Sequence, residues 1–318
     1  MEDLLDRERL RPRRPLRFGG APERPAASAA ARETLLRVVT INTHRGQGPK
    51  LNYLLQHSLP EESERLQVLH SARAYAYFIA EWLYRNRRRF DVVALQEVFT
   101  GIFGLSDRIL RRFRQHRHYR AISRFPAAIS HGVGFAGFRY ENLLLSRLAP
   151  AERAHRNVLL PGRIGFLAAC GFTLAPFRFE GREIWIGNTH LHSFNPRARA
   201  RQAESIAAEI KKLGDVPVVF LGDLNTVPPG CRETGFPAGE RDARSYKNDR
   251  TLAILTDAGL VTIPHEDRRR FYTYPTGVPN RTLDYVLHSR HFEVVSYRVI
   301  RTFRLSDHYP VRAELRLR

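Results

Sequence analysis

The chain has 318 residues, 43% hydrophobic and 26% charged, enough apolar material for a sizeable core and too much for a wholly disordered chain. Basic residues outnumber acidic ones 52 to 32, a net charge of +20, and only four of the 52 are lysine (Lys50, Lys211, Lys212, Lys247). No run approaches about 18 uninterrupted apolar residues, so no transmembrane segment is expected; the start MEDLLDRERLRPRRP lacks the apolar stretch of a secretory signal, so a cytoplasmic location is expected.

The preference for arginine over lysine is of the kind a GC-rich genome produces and carries no function by itself. The excess of positive charge is a separate matter. It raises the local concentration of polyanions, whether nucleic acid, anionic lipid headgroups or phosphorylated metabolites. The two cysteines, Cys170 and Cys231, are too few for a disulfide framework.

Residues 1–36 hold eight arginines against six acids in an Arg/Pro/Ala-rich setting and are expected to form a disordered arm. A single folded domain is expected over 37–318. Its first element, LLRVVTIN (35–42), reads as a buried strand that ends in polar residues. Residues 61–88 read as one long helix, closed by the basic cluster Arg85–Arg89. DVVALQEV (91–98) is a second buried strand. LSDRILRRFRQH (105–116) reads as a helix, and GVGFAGF (132–138) and ENLLLSR (141–147) as strands. RIGFLAACGFTL (163–174) and REIWIGNTHL (182–191) form a pair of long strands around the turn at Glu180-Gly181. Residues 196–214 form a helix with Gly214 as its stop. PVVFLGDLN (217–225) is a third buried strand, and 245–259 a further helix. RTLDYVLHS (281–289), FEVVSYRVIRTF (292–303) and YPVRAELRLR (309–318) close the chain as strands. About ten strands with helices between them, not in clean βαβ alternation, disfavour a simple Rossmann sheet and imply sheets covered on both faces.

Four of these strands deliver polar residues directly after a buried run. Asn42 follows VVTI, Gln96 and Glu97 follow DVVAL, His190 follows IWIGNT, and Asp223 with Asn225 follows VVFLG. Asp284 lies within RTLDYVL, and Ser306-Asp307-His308 precedes YPV. Any one of these alone is more often a loop cap than a site. Together they matter, because strand ends on one sheet edge converge, and such edges hold active sites.

These residues, in this order, resemble the endonuclease/exonuclease/phosphatase superfamily with its deoxyribonuclease-I-like fold. The resemblance runs from Asn42 to Pro310. It implies a four-layer α/β sandwich, two mainly antiparallel sheets face to face with helices outside. It also implies phosphoester hydrolysis with Mg²⁺, or Mn²⁺ in its place. Such hydrolysis needs a hard cation, an activated in-line water and stabilisation of transition-state charge. Glu97 and Asp307 offer hard oxygens and Asn42 a neutral amide oxygen; no Cys/His cluster has zinc spacing. By resemblance, Asp284 pairs with His308, which either orients the phosphate or transfers protons. Asp223 positions or deprotonates the attacking water, and His190 and Asn225 stabilise the pentacovalent phosphorane.

Abasic-site repair enzymes of the superfamily carry an acid two residues after the first Asn, where this chain has His44, and their tyrosine motif is not evident. A classical abasic endonuclease is therefore disfavoured. NTHLHSFNPRARARQAESI, with its Arg-x-x-Gln helix, is similar to the broader branch of nucleases, sphingomyelinases and phosphoinositide phosphatases. Residues 101–163 hold twelve arginines and three acids. Within them Arg111, Arg112, Arg114 and Arg117 interleave with Phe113 and Tyr119, as phosphate contacts and base stacking require, although a solvated helix face reads the same way. His131 and Asn142 complete the candidate substrate contacts. The expected activity is a Mg²⁺-dependent nuclease. A sphingomyelinase-like phosphodiesterase or a phosphoinositide or inositol polyphosphate phosphatase is the alternative, and a catalytically silent binding protein on the same fold is less favoured.

Overall fold

Two mixed sheets lie face to face in the computed structural model, which describes residues 34–44, 77–100, 120–129, 139–164, 168–231, 246 and 248–318. Residues 1–33 of the expected arm, the 105–116 helix, the 132–138 strand and the first part of the 61–88 helix lie outside the described residues.

In chain order the first strands are β1 (Leu36–Asn42), β2 (Val92–Thr100), β3 (Arg120–Ile129), β4 (Arg139–Ser146), β5 (Ala149–Pro150) and β6 (Arg156–Ile164). They are followed by β7 (Ala168–Phe179), β8 (Arg182–His190), β9 (Val218–Asp223), β10 (Leu260–Ile263), β11 (Asp284–Ser289), β12 (Phe292–Val299) and β13 (Val311–Leu317). The first sheet has the order β12-β13-β1-β2-β4-β3; the second has the order β10-β11-β9-β8-β7-β5, with β6 also on β7. β1–β2 and β8–β9 are parallel and the other pairings antiparallel.

The strands are near-continuous apolar runs because both faces are covered. Leu36 and Val38 of β1, Val92 and Ala94 of β2, Ile184 and Ile186 of β8, and Val219 and Leu221 of β9 meet between the sheets. The alternate residues of β1 and β2, Val39, Ile41, Val93 and Leu95, face outward onto Ile79, Ala80 and Leu83 of α1, a helix over residues 77–85. On the other side, Ala203, Ile206 and Ile210 of α2 (Pro196–Lys211) and Leu252 and Leu255 of α3 (Thr251–Asp257) cover Trp185, Phe220 and Tyr285. The four layers are those the resemblance implied.

Helix limits follow from local chemistry. Asn195 Oδ1 caps α2 by accepting from Arg197 N (3.0 Å) and Ala198 N (3.2 Å), with Pro196 in the first turn. The chain leaves that helix through Gly214 at φ 77, in the left-handed region open to glycine. The helix expected over 245–259 is shorter. Asp249 Oδ1 accepts from Thr251 N at 2.9 Å and helical residues begin only there.

Several strand expectations need correction. The run 163–174 is not one strand, because Ile164 pairs with Ala168 and β6 folds back antiparallel on β7. β3, β5, β6 and β10 were not foreseen. β12 stops at Val299, short of the expected Phe303, because Phe303 N bonds Ile300 O and turns the chain there.

Candidate active site

The parallel pairings bring the polar strand ends together. In the second sheet His190 is paired with Asp223, and Asp223 with Asp284, so three candidate residues form one row across β8, β9 and β11. In the first sheet Asn42 is paired with Gln96, one residue before Glu97. Asn42 Nδ2 joins the two sheets by donating to Asp223 Oδ2 at 2.9 Å and Glu97 Oε1 at 3.3 Å. His190 Nε2 lies 3.7 Å from Glu97 Oε1 and 3.6 Å from Asp223 Oδ2. Ser306 Oγ donates to Asn42 O at 2.8 Å and so fastens the Ser306-Asp307-His308 segment to the end of β1. All eight residues expected to carry chemistry therefore lie on one edge of the sandwich.

Glu97 reaches this edge through a break in the β2–β4 ladder. The register shifts between Leu95 and Val98, and Glu97 itself has φ 50. A non-glycine residue there is strained and needs support from its surroundings. The carbonyls freed by the bulge supply it. Leu95 O accepts from Asn188 Nδ2 of the opposite sheet (3.1 Å). Gln96 O and Glu97 O lie 3.0 and 2.9 Å from Thr43 Oγ1. Gln96 itself points inward, its Nε2 donating to Asn188 Oδ1 at 2.7 Å. Gln96 and Asn188 are thus a buried polar tie between sheets, and Glu97 is the member of the pair turned to the edge.

His308 and Asp284 form the expected pair, Nδ1 to Oδ2 at 2.8 Å, both buried. His308 Nε2 remains directed toward Asp223, 3.8 Å from Oδ2. Burial alone opposes charge on this imidazole. Asp284, Asp223 and Asp307 outweigh it and raise its pKa from 6.5 to about 10. Burial in turn raises the Asp284 carboxyl, and the nearby Asp223 adds to the shift while His308 opposes it. Tyr274 packs against the imidazole, ring centroids 4.8 Å apart, and the Arg281 guanidinium lies 4.8 Å from the centroid of the tyrosine ring.

Two groupings bear on a metal. Glu97 and Asp307 flank Asn42 and are hard oxygen donors suited to Mg²⁺ or Mn²⁺. Asn42 Oδ1, however, accepts from His44 N at 2.9 Å while Nδ2 faces the carboxylates. Ligation by that oxygen requires the amide to turn over. Asp223, Asp284 and His308 also place ligand atoms within 4.8 Å of one another. There the 2.8 Å hydrogen bond already occupies Nδ1 and Oδ2, so this trio reads as a proton-holding unit. His44, the departure from the repair-enzyme pattern, lies beside the first grouping with Nδ1 3.6 Å from Asp307 Oδ1.

Asn225 has φ 49; its N–H bonds Asp223 Oδ1 (2.9 Å) and its Nδ2 bonds Leu191 O (3.0 Å). It is a turn residue whose backbone and side chain tie the segment after β9 to the end of β8. Asn142 is fully buried and donates to Gly171 O at 3.1 Å, with no hydrogen bond tying it to the eight residues. Arg111, Arg112, Arg114, Arg117 and His131 lie outside the described residues. Thr43, Asn188 and Tyr274 were not singled out from the sequence. Only the cluster of polar residues around NTHL and TINTH signalled the first two.

A family model for the Endonuclease/Exonuclease/phosphatase family matches residues 68–308, and the chain belongs to that family, whose members are hydrolases of phosphoester bonds and are generally divalent-metal dependent. Among solved structures it is similar to an endonuclease/exonuclease/phosphatase from Beutenbergia cavernae DSM 12333 (20% identity, TM-score 0.61, covering 90% of this chain and 72% of that one). It is also similar to the mannosyl-6-phosphatase Bt3783 of Bacteroides thetaiotaomicron VPI-5482 (17%, 0.58, 88% and 99%). A third is D. rerio TDP2 complexed with a single-strand DNA product (16%, 0.56, 89% and 99%). At these identities the likeness shows the fold. No curated protein sequence matches the chain. Among the described residues, no helix is long and apolar enough to cross a membrane.

Proposed function

We propose that the protein is a Mg²⁺-dependent phosphodiesterase acting on nucleic acid. The observation that carries the reading is the convergence of Asn42, Glu97, His190, Asp223, Asn225, Asp284, Asp307 and His308 on one edge, spanning both sheets. Glu97 and Asp307 hold the cation in this reading. When bound, it neutralises charge on a non-bridging phosphate oxygen, which lets a nucleophile approach. The nucleic-acid part rests on the net charge of +20 and on the DNA-bound TDP2 relative.

The side chains divide the remaining work. The 2.8 Å bond to Asp284 and the carboxylates of Asp223 and Asp307 favour the charged form of His308, which in this reading suits it to orient the phosphate as a positive charge. Asp223 is then the group that takes the water's proton. Asn42 Nδ2 donates to its Oδ2 and Asn225 N–H to its Oδ1, which fixes the carboxylate. His190 Nε2, 3.6 Å from Asp223 Oδ2, and the Asn225 amide are in this reading the donors for the charge that develops on phosphorus oxygens.

A substrate panel with Mg²⁺ tests the reading: plasmid DNA, single-stranded RNA, sphingomyelin vesicles, an inositol polyphosphate and a sugar 6-phosphate. Turnover of DNA or RNA well above the other three supports it. Turnover confined to a phosphomonoester, inositol phosphate or lipid overturns the substrate class while leaving phosphoester chemistry in place.

A further inference from the structure

Helix α2 buries an apolar stripe of Ala203, Ile206, Ala207 and Ile210, but the same stripe begins with two fully buried polar residues, Arg199 and Gln202. Three positions apart, they share one face of the helix. Leucines there would fill the space without the cost of burying polar and charged groups, and a buried ion pair is often no more stabilising than its apolar replacement. Their contacts show another use. Gln202 Oε1 accepts from His192 N–H at 2.9 Å, and Arg199 Nη1 donates to His192 C=O at 3.0 Å. Gln202 Nε2 is itself held on Pro161 O at 3.0 Å. The Arg199 fork is fixed on Asp249, with Nε at 2.8 Å and Nη2 at 2.6 Å from Oδ2.

The peptide just before His192 is held by the catalytic strand. Leu191 N–H bonds Asp223 O at 3.0 Å and Leu191 C=O accepts from Asn225 Nδ2 at 3.0 Å. Four successive backbone groups after His190 are therefore gripped in turn, two by the Asp223–Asn225 segment and two by α2. The His192 ring completes the turn, its Nδ1 accepting from Phe194 N (3.1 Å) and Asn195 N (3.2 Å). If the His192 peptide shifts, the Leu191 carbonyl shifts with it, and the Asn225 amide and His190 lose their common reference.

We propose that Arg199 and Gln202 are positioning residues for the chemical step, clamping the peptide that aligns His190 with Asn225 and Asp223. The inference rests on the phosphoesterase reading above. Misplacement by about 1 Å can cost on the order of 10²-fold in rate, so loss of one clamp is expected to cost about tenfold.

The test compares Gln202→Met, Arg199→Met, Gln202→Glu and Asp249→Asn with the wild type. Two readouts are taken: Mg²⁺-dependent hydrolysis of bis(p-nitrophenyl) phosphate, and the His190 ring resonances of the ¹³C-histidine-labelled protein in EDTA. The methionine variants are expected to lower kcat about tenfold, with KM within about twofold, and to shift or broaden the His190 signal. Gln202→Glu keeps the acceptor for His192 N–H but loses the donor to Pro161 O, so it should recover part of kcat. Asp249→Asn touches no residue of the peptide and should reproduce a smaller part of the Arg199 loss; it decides the matter if the methionine variants do not fold. Ile210→Val, also buried on the same helix, should move neither readout. Melting temperatures that fall while kcat per folded molecule and the His190 signal stay unchanged would overturn the proposal. A wild type that hydrolyses no phosphoester would instead sink the functional reading, and the His190 signal alone would then decide the clamp.

Discussion

The layer between the sheets and the polar edge that holds the candidate site are made by the same strands under opposite rules. β9 contributes Val219 and Leu221 to the layer and Asp223 to the edge; β1 contributes Leu36 and Val38 to one and Asn42 to the other. In the layer away from the Gln96–Asn188 tie, side chains are apolar and interchangeable in kind, and their worth lies in volume filled. At the edge, nearly every buried polar atom has a named partner, and His44, Glu97 and Asn225 sit at positive φ. Distance along a strand thus separates stability from chemistry, and substitutions on either side of the divide should fail in different ways.

The largest effect is expected at the edge. Asp223→Asn should lower kcat by about 10²–10⁴-fold, the usual worth of a general base or positioning group. Its effect on the melting temperature has two opposing parts: it relieves the repulsion with Asp284, but it removes a carboxylate that favours the His308 charge and accepts from Asn42 Nδ2 and Asn225 N–H. Combining it with His308→Ala should cost less than the product of the single losses, because the two act as one unit. In the layer, Leu221→Ala should cost about 2–5 kcal/mol of stability by cavity formation, measured by urea denaturation, while kcat per folded molecule stays the same. Equal damage to rate and stability in both variants would erase the division.

Gly222 stands on the boundary. A Cβ there would lie 2.1 Å from Thr189 O, a backbone atom that cannot move aside alone. Gly222→Ala should therefore push β9 from β8 at the His190–Asp223 pairing. It should lose stability by about 1–3 kcal/mol, as overpacking does, and rate as well. The pH dependence of the metal-free protein sharpens the comparison further. His308 binds its proton more tightly folded than unfolded, with a pKa of about 10 against 6.5. Its contribution is fully present below pH 6.5 and fades as the pH rises toward 10. Stability measured in EDTA should fall across that window, and less steeply in His308→Gln.

What the sequence revealed follows the same divide. β1, β2, β8 and β9 were legible because a sheet covered on both faces demands continuous Val/Ile/Leu runs, and their polar ends stood out against those runs. β3 was not. It is an edge strand of mixed composition with Pro126 inside it, tolerated because an edge residue can forgo its N–H. β6 was hidden by Pro161-Gly162 and by an apolar run that continues across its reversal into β7. At the site, Glu97 was legible as a polar strand end. The bulge that turns it outward was not, because Asn188 and Thr43 support it from a different sheet and a different loop. Tyr274 meets His308 only through the tertiary fold.

The central claim is that the edge is a divalent-metal centre for phosphoester hydrolysis held by Glu97 and Asp307. Hydrolysis of bis(p-nitrophenyl) phosphate and plasmid DNA, followed in EDTA and during readdition of Mg²⁺ or Mn²⁺, tests it most directly. Turnover should vanish in EDTA and return with the metal, and Glu97→Gln should raise the metal concentration needed for half-maximal rate. Full turnover in EDTA, or a Glu97→Gln variant with unchanged metal dependence, would contradict the claim.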